Sequence, residues 1–254
     1  MARRWRNWAY ESASLDLALR QAGRALHEVL ELEPQPVRFV NSFGLGDPPD
    51  IETFRRRAER YPDLRYKLDA APTWSPEILA EIAATGAVDT IDFKGQYGME
   101  VSDEDALLVL YERVIETFPD AILEDPHDLP GIAPLLEPHL DRVSYDAPIS
   151  RVEDFDETPL RARIVNVKPM RIGGLRPLLD LYAHCGEHGL RMYGGGMGEL
   201  GVARGQIELL ASLFHADAPN DVAPTPFNDE DAVAGLPSSP LDPAPAPAGF
   251  RWAG

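Results

Sequence analysis

Of the 24 basic residues in this 254-residue chain only three are lysine, Lys67, Lys94 and Lys168, and the remaining 21 are arginine. The two cations differ in chemistry, because lysine can lose its proton near neutral pH when its surroundings depress its pKa, whereas arginine stays charged. Each lysine lies at the end of a short strand-like run: Arg65-Tyr66-Lys67-Leu68-Asp69, Ile91-Asp92-Phe93-Lys94 and Ile164-Val165-Asn166-Val167-Lys168. Carboxylates take matching places at Asp92, at Glu124 in Leu123-Glu124-Asp125-Pro126 and at Asp146 in Tyr145-Asp146-Ala147-Pro148. Three acids on adjacent strand ends suit a hard divalent cation, Mg2+ first and Mn2+ as the alternative, which takes oxygen ligands and leaves positions open for substrate. Lysines flanking such an ion suit removal of a proton next to a carboxylate: the metal carries the enediolate charge while a neutral lysine takes the proton.

Positioning these groups requires strands that all point the same way. Apolar residues from Leu15 to Leu30 recur at helical spacing and predict one long amphipathic helix over 11–32. Strand patterns follow at 37–43, 64–70, 88–93, 121–123, 143–146, 164–167, 190–193 and 221–223, with helical patterns at 51–61, 76–85, 105–118, 175–187 and 204–214 between them. Eight β/α alternations predict an α/β fold, a (β/α)8 TIM barrel, whose catalytic residues belong at the C-terminal ends of the strands. The expected division is a lead-in helix over 1–33, the barrel over 34–224 and a proline-rich tail over 225–254. The tail is expected to follow an extended surface path, either mobile or pinned by Phe250 and Trp252.

Charge and composition narrow the function classes. A net charge of -18 disfavours nucleic acid and anionic membrane surfaces as partners. Arg3-Arg4 is followed by Glu11 and Asp16 where an export signal needs an apolar run, and the lone Cys185 fits a reducing compartment, so a cytoplasmic protein is expected. Gly196-x-Gly198-x-x-Gly201 has the spacing of a dinucleotide fingerprint, but the 53 residues after it are too few and too proline-rich for the βαβαβ half it would open. His184 and His188, four apart near a helix C-terminus, read as dipole partners more readily than as zinc ligands.

Several segments resemble the enolase superfamily, in its muconate lactonising enzyme and o-succinylbenzoate synthase branch. Lys168-Pro169-Met170-Arg171-Ile172-Gly173-Gly174-Leu175 is similar to the strand-six lysine motif, Glu124-Asp125-Pro126 to the strand-four metal motif, and Gly195-Gly196-Met197-Gly198-Glu199 to the strand-seven segment. The segment from Glu11 to Gly23 is similar to the helix that leads into the family's barrel, and 22 residues separate Glu124 from Asp146 and Asp146 from Lys168. The resemblance implies a Mg2+ held by Asp92, Glu124 and Asp146, with Lys67 and Lys168 on opposite faces of the substrate carbon. Asn41, Lys94, Gly195, Met197 and Glu199 are the expected substrate contacts.

Departures from the family pattern shape the expectation further. The strand-two Lys-x-Lys stands here as Arg65-Tyr66-Lys67 or as Lys67-Leu68-Asp69, and Lys94 fills the place of an asparagine, setting an ammonium beside the metal ligands that would weaken or replace the ion. The family's N-terminal capping domain is not expected within this sequence. The resemblance implies proton abstraction α to a carboxylate, first as a dehydration of the o-succinylbenzoate synthase type and second as N-acylamino acid racemisation or cycloisomerisation. The partner is then a small carboxylate, with a homo-oligomer left open. A catalytically silent barrel serving binding or assembly is the contrasting reading.

Overall fold

Glycine and proline punctuate the chain where the periodic patterns stop. The computed structural model describes residues 2–98, 101–161, 163–229 and 233–252. The single helix expected over 11–32 is two, α1 (Ala2–Ala22) and α2 (Leu26–Leu30). Gly23 separates them at φ +64, a left-handed conformation that stops a helix and favours glycine.

Among the described residues seven strands follow: β1 (Asn41–Gly44), β2 (Tyr66–Asp69), β3 (Val88–Asp92), β4 (Ile122–Glu124), β5 (Val143–Tyr145), β6 (Ile164–Val167) and β7 (Arg191–Gly194). All are parallel and neighbour one another in sequence order. The connections carry α3 (Ile51–Arg60), α4 (Pro76–Ala84), α5 (Glu104–Thr117), α6 (Ile132–Leu136), α7 (Pro169–Ile172), α8 (Leu175–His188) and α9 (Val202–Phe214). Local chemistry starts three of them: Asp50, Ser75 and Asp103 accept N–H bonds from the first turns of α3, α4 and α5, and Pro76 opens α4. No described helix is long and apolar enough to cross a membrane.

The eighth expected strand, at 221–223, is absent as a strand. Pro219 and Pro224 bracket the segment and restrict ladder formation. What remains are isolated bridges, Phe39 to Asn220 and Gly195 to Asp221. Arg38 and Val40 donate to the carbonyls of Ala216 and Asn220, and Asp221 donates to that of Gly194, so this segment bonds to both edges of the sheet. The result is a TIM-barrel-like α/β domain built on a curled, seven-stranded parallel sheet.

Side chains alternate across each strand, and here the alternation separates apolar from polar. On β2, Tyr66 packs outward against the tilted ring of Phe54 of α3, while Lys67 meets Asp92 and Glu124 inside. The apolar core fills the layer between sheet and helices with Phe54, Leu79, Ile82, Leu110, Tyr111, Val114 and Leu181. Register then aligns Gly44, Asp69, Asp92 and Glu124 in one row at the C-terminal ends of β1 to β4. The proline-rich tail is pinned to the body. Leu241 exchanges backbone hydrogen bonds with Val37, and Phe250 is fully buried edge-on to Trp8. Asp16 of α1 accepts the Phe250 N–H and pairs with Arg251.

Candidate active site

At the C-terminal ends of the strands, acids and cations form two connected clusters. In the first, Lys67 Nζ lies 2.5 Å from Glu124 Oε1 and 3.1 Å from Asp92 Oδ2, with its side chain only 1% exposed. Glu124 Oε1 also accepts from Asn166 Nδ2 at 3.1 Å, and Oε2 accepts from the Tyr193 hydroxyl at 2.5 Å. Lys94, at the end of β3, donates its backbone N–H to Asp92 Oδ1 at 2.9 Å and its Nζ to Asp92 Oδ2 at 2.5 Å, and Nζ lies 3.1 Å from Asp69 Oδ1. In the second cluster Asp146 Oδ2 accepts from Lys168 Nζ at 2.8 Å and from the Tyr97 hydroxyl at 3.0 Å, while Oδ1 pairs with Arg171. Asp125 joins the two, its carboxylate accepting the backbone N–H groups of Asp146 at 2.7 Å and Ala147 at 2.9 Å.

The backbone is bent to achieve this. Lys94 and Asp125 adopt φ of 55 and 47, left-handed conformations uncommon outside glycine and typical of functional sites. Between their loops Gly95 comes so close to the next strand end that a Cβ would stand 2.3 Å from the His127 nitrogen. Gly195 is equally constrained, since a Cβ there would meet Asn166 Oδ1 at 2.7 Å and Lys168 Cε at 2.8 Å.

Burial and neighbours drive the acids in opposite directions. Burial, opposed by Lys67 and reinforced by the neighbouring carboxylates, pushes Glu124 up to about 7, and burial with the neighbouring carboxylates pushes Asp125 up to about 8. Asp146 moves down: burial raises it, but Lys168 and Arg171 outweigh that and hold it well below the usual carboxylate range. Asp92 is also lowered, by Lys67 and Lys94 against the effect of burial. Burial disfavours the Lys67 charge, but Glu124 and Asp92 more than compensate and raise its pKa, so it is an ammonium.

Oxygens of Asp92, Glu124 and Asp125 lie within 4.8 Å of one another and are buried, an acidic triad able to hold a divalent cation. Hard anionic oxygens of this kind fit Mg2+ or Mn2+. The triad differs from the expected ligand set. Asp125 stands with Asp92 and Glu124, while Asp146, the expected third ligand, accepts from Lys168 and Tyr97 and pairs with Arg171.

The other expected contacts divide. Gly195 packs on Asn166 and Lys168, and Met197 Sδ lies 3.5 Å from Arg171 Nη2. Glu199 folds back to accept the Met197 N–H at 2.5 Å, leaving Oε1 buried without a partner. Asn41 is turned away from the clusters: as the first residue of β1 it faces outward, where Arg57 and Asn228 hold its side-chain amide. A cavity of about 700 Å³ lined by Arg38, Asp89, Ile164 and Arg191 opens at the opposite ends of the strands and shares only Tyr193 with the clusters.

Asp69, Tyr97, Asp125, Asn166, Arg171 and Tyr193 belong to the clusters but were not among the expected site residues. Period-two counting back from Lys168 reaches Asn166. Nothing in the spacing marks Tyr97, which arrives through the loop after β3.

A sequentially ordered parallel sheet with lysines and buried acids at its strand ends makes a TIM-barrel-like α/β domain, and its fold matches a solved enolase superfamily member from Listeria innocua at a TM-score of 0.63 and 21% identity over 80% of this chain and 55% of that one. The chain belongs to the family described as Domain of unknown function (DUF8230), matching its C-terminal domain over residues 33–229 and its N-terminal domain over residues 1–29. It is 26% identical to o-succinylbenzoate synthase of Bacillus subtilis over 88% of this chain and 60% of that protein. It is 31% identical to N-succinylamino acid racemase of Thermus thermophilus over 84% of this chain and 58% of that protein. The fold matches a dipeptide epimerase from Methylococcus capsulatus, crystallised with Mg and the dipeptide L-Arg-D-Lys, at a TM-score of 0.67 and 21% identity over 84% of this chain and 62% of that one. The chain therefore spans about three fifths of the length of the curated relatives it matches.

Proposed function

We propose that this barrel removes the proton α to the carboxylate of a small substrate, with Lys168 as the group that takes it. The observation carrying this reading is Lys168 Nζ at 2.8 Å from Asp146, beside the Asp92, Glu124 and Asp125 triad. Breaking the Cα–H bond leaves its electron pair on the substrate as an enediolate and moves the proton to the Lys168 amine. Asp146, paired with Arg171, orients the neutral Lys168 amine and then pairs with the ammonium that the transferred proton makes of it, and Gly195 leaves room for its side chain. Asp92, Glu124 and Asp125 are the residues that would hold Mg2+ or Mn2+, which when bound supplies positive charge against the developing enediolate.

Dehydration of the o-succinylbenzoate synthase type is the reading favoured for the complete reaction. Lys67 is enclosed by Glu124 and Asp92, so one lysine would serve both halves: Lys168 takes the α-proton and returns it to the departing hydroxide, releasing water. Racemisation requires proton transfer at both faces of the carbon. The relative at 31% identity, named N-succinylamino acid racemase, supports it as the second reading. Incubation with N-succinylamino acids and with o-succinylbenzoate precursors, with and without Mg2+, separates the two by optical rotation and by ultraviolet absorbance of the aromatic product. A barrel acting only in binding or assembly turns over neither.

A further inference from the structure

We propose that Lys94, and not Lys67, is the second substrate-facing lysine, and that its ammonium receives the substrate carboxylate across the site from Lys168. This rests on the reading of the barrel as a carboxylate-processing enzyme and adds to it a residue that sets substrate class. Accessibility separates the three lysines: the side chain of Lys94 is 28% exposed, that of Lys168 is 8% exposed and that of Lys67 is 1% exposed. Lys67 is shut beneath the carboxylates it binds, so an incoming anion would have to displace Asp92 or Glu124 to reach it.

Lys94 is built to stay where it is. Its left-handed backbone is fixed by its own N–H on Asp92 Oδ1, by the Gly95 N–H on the Asp125 carbonyl, and by the contact of Gly95 with His127. Asp92 accepts one of the three N–H bonds an ammonium can make, and Asp69 Oδ1 stands 3.1 Å away without accepting a hydrogen bond, which leaves donor capacity for a ligand. Tyr97 ties it to the other lysine. Lys94 Nζ lies 5.6 Å from the centre of the Tyr97 ring, whose hydroxyl donates to Asp146 Oδ2, the oxygen that also accepts from Lys168. Tyr97 thus neighbours Lys94 through its ring and shares Asp146 with Lys168 through its hydroxyl, and an acid bound beside this exposed phenol would meet a fixed charge from one lysine and the proton-transferring amine of the other.

The chain has three lysines, so native-state acetylation read by mass spectrometry resolves each of them. Lys94 is expected to react in the folded protein, Lys67 only after unfolding, and added succinate is expected to slow modification of Lys94. Calorimetry with succinate then compares Lys94→Met, expected to bind at least tenfold more weakly than wild type, with Lys94→Arg, expected to stay within about threefold. Equal reactivity of Lys67 and Lys94, no protection by succinate, or unchanged binding in Lys94→Met each overturns the proposal. The parent reading fails differently: if succinate binds through Lys94 but no α-proton exchanges, the chemistry is wrong and the recognition stands. Exchange that persists at the wild-type rate in Lys94→Met leaves the chemistry and removes Lys94.

Discussion

Lys67 Nζ stands 2.5 Å from Glu124 and 3.1 Å from Asp92, between two of the three acids that a divalent cation would use. Ammonium and metal therefore compete for the same oxygens. Removing the ammonium in Lys67→Met leaves two buried carboxylates uncompensated, a loss of about 3–5 kcal/mol for one partner of a buried ion pair. Denaturant unfolding in chelator should show that loss. Millimolar Mg2+ should then raise the Tm of Lys67→Met by more than that of the wild type; equal shifts would separate Lys67 from the cation site.

His215 gives a pH dependence of stability. Burial pushes its pKa down to about 4, against the partly offsetting hydrogen bond with Asn220. As pH falls through the unfolded value near 6.5, the unfolded chain takes a proton that the folded chain refuses. Stability is thus lost between about 6.5 and 4, by up to about 3 kcal/mol from this group. Urea melts of wild type and His215→Gln across this range should diverge at the neutral end and converge at the acid end. A constant difference would show that the histidine titrates alike in the folded and unfolded chains.

The tail contributes to the core. Phe250 is fully buried against Trp8, and Arg251 pairs with Asp16. Phe250→Ala should cost about 3–5 kcal/mol, as large-to-small changes of buried aromatics do. Equilibrium unfolding measures it, and a change below about 1 kcal/mol would mean the tail is detached in solution.

Gly95 holds the ends of β3 and β4 together, with its N–H on the Asp125 carbonyl and no space for a Cβ before the His127 backbone. Gly95→Ala should lower stability by about 1–3 kcal/mol, the cost of overpacking, and speed amide hydrogen exchange at Phe93 and Gly95. Unchanged exchange would show that the loop absorbs the methyl group without moving the acids.

The lysines, the acids and the parallel α/β order were legible because each rests on a local rule: strand ends, caps and period-two alternation. The one-helix reading over 11–32 overlooked that Gly23 interrupts an otherwise continuous apolar stripe. Strand eight was overread because Val222 and Ala223 look β-like between prolines that prevent a ladder. Asn41 was expected at the substrate because it lies on strand one, but alternation along β1 sets it on the face towards α3, where Arg57 holds it. Tyr97 escaped notice, and Asp125 entered only as part of the Glu124-Asp125-Pro126 motif, for a deeper reason. Their place is set by left-handed turns and by loop closure, which join residues far apart in sequence and leave no periodic trace.

Transfer of an α-proton to Lys168 is the central claim, and exchange in heavy water tests it most directly. Proton NMR of an N-succinylamino acid in D2O with Mg2+ and wild-type protein should show loss of the α-proton signal as deuterium enters. Lys168→Ala, matched for folding by circular dichroism, should abolish this exchange. Exchange that survives at the wild-type rate in Lys168→Ala would contradict the account.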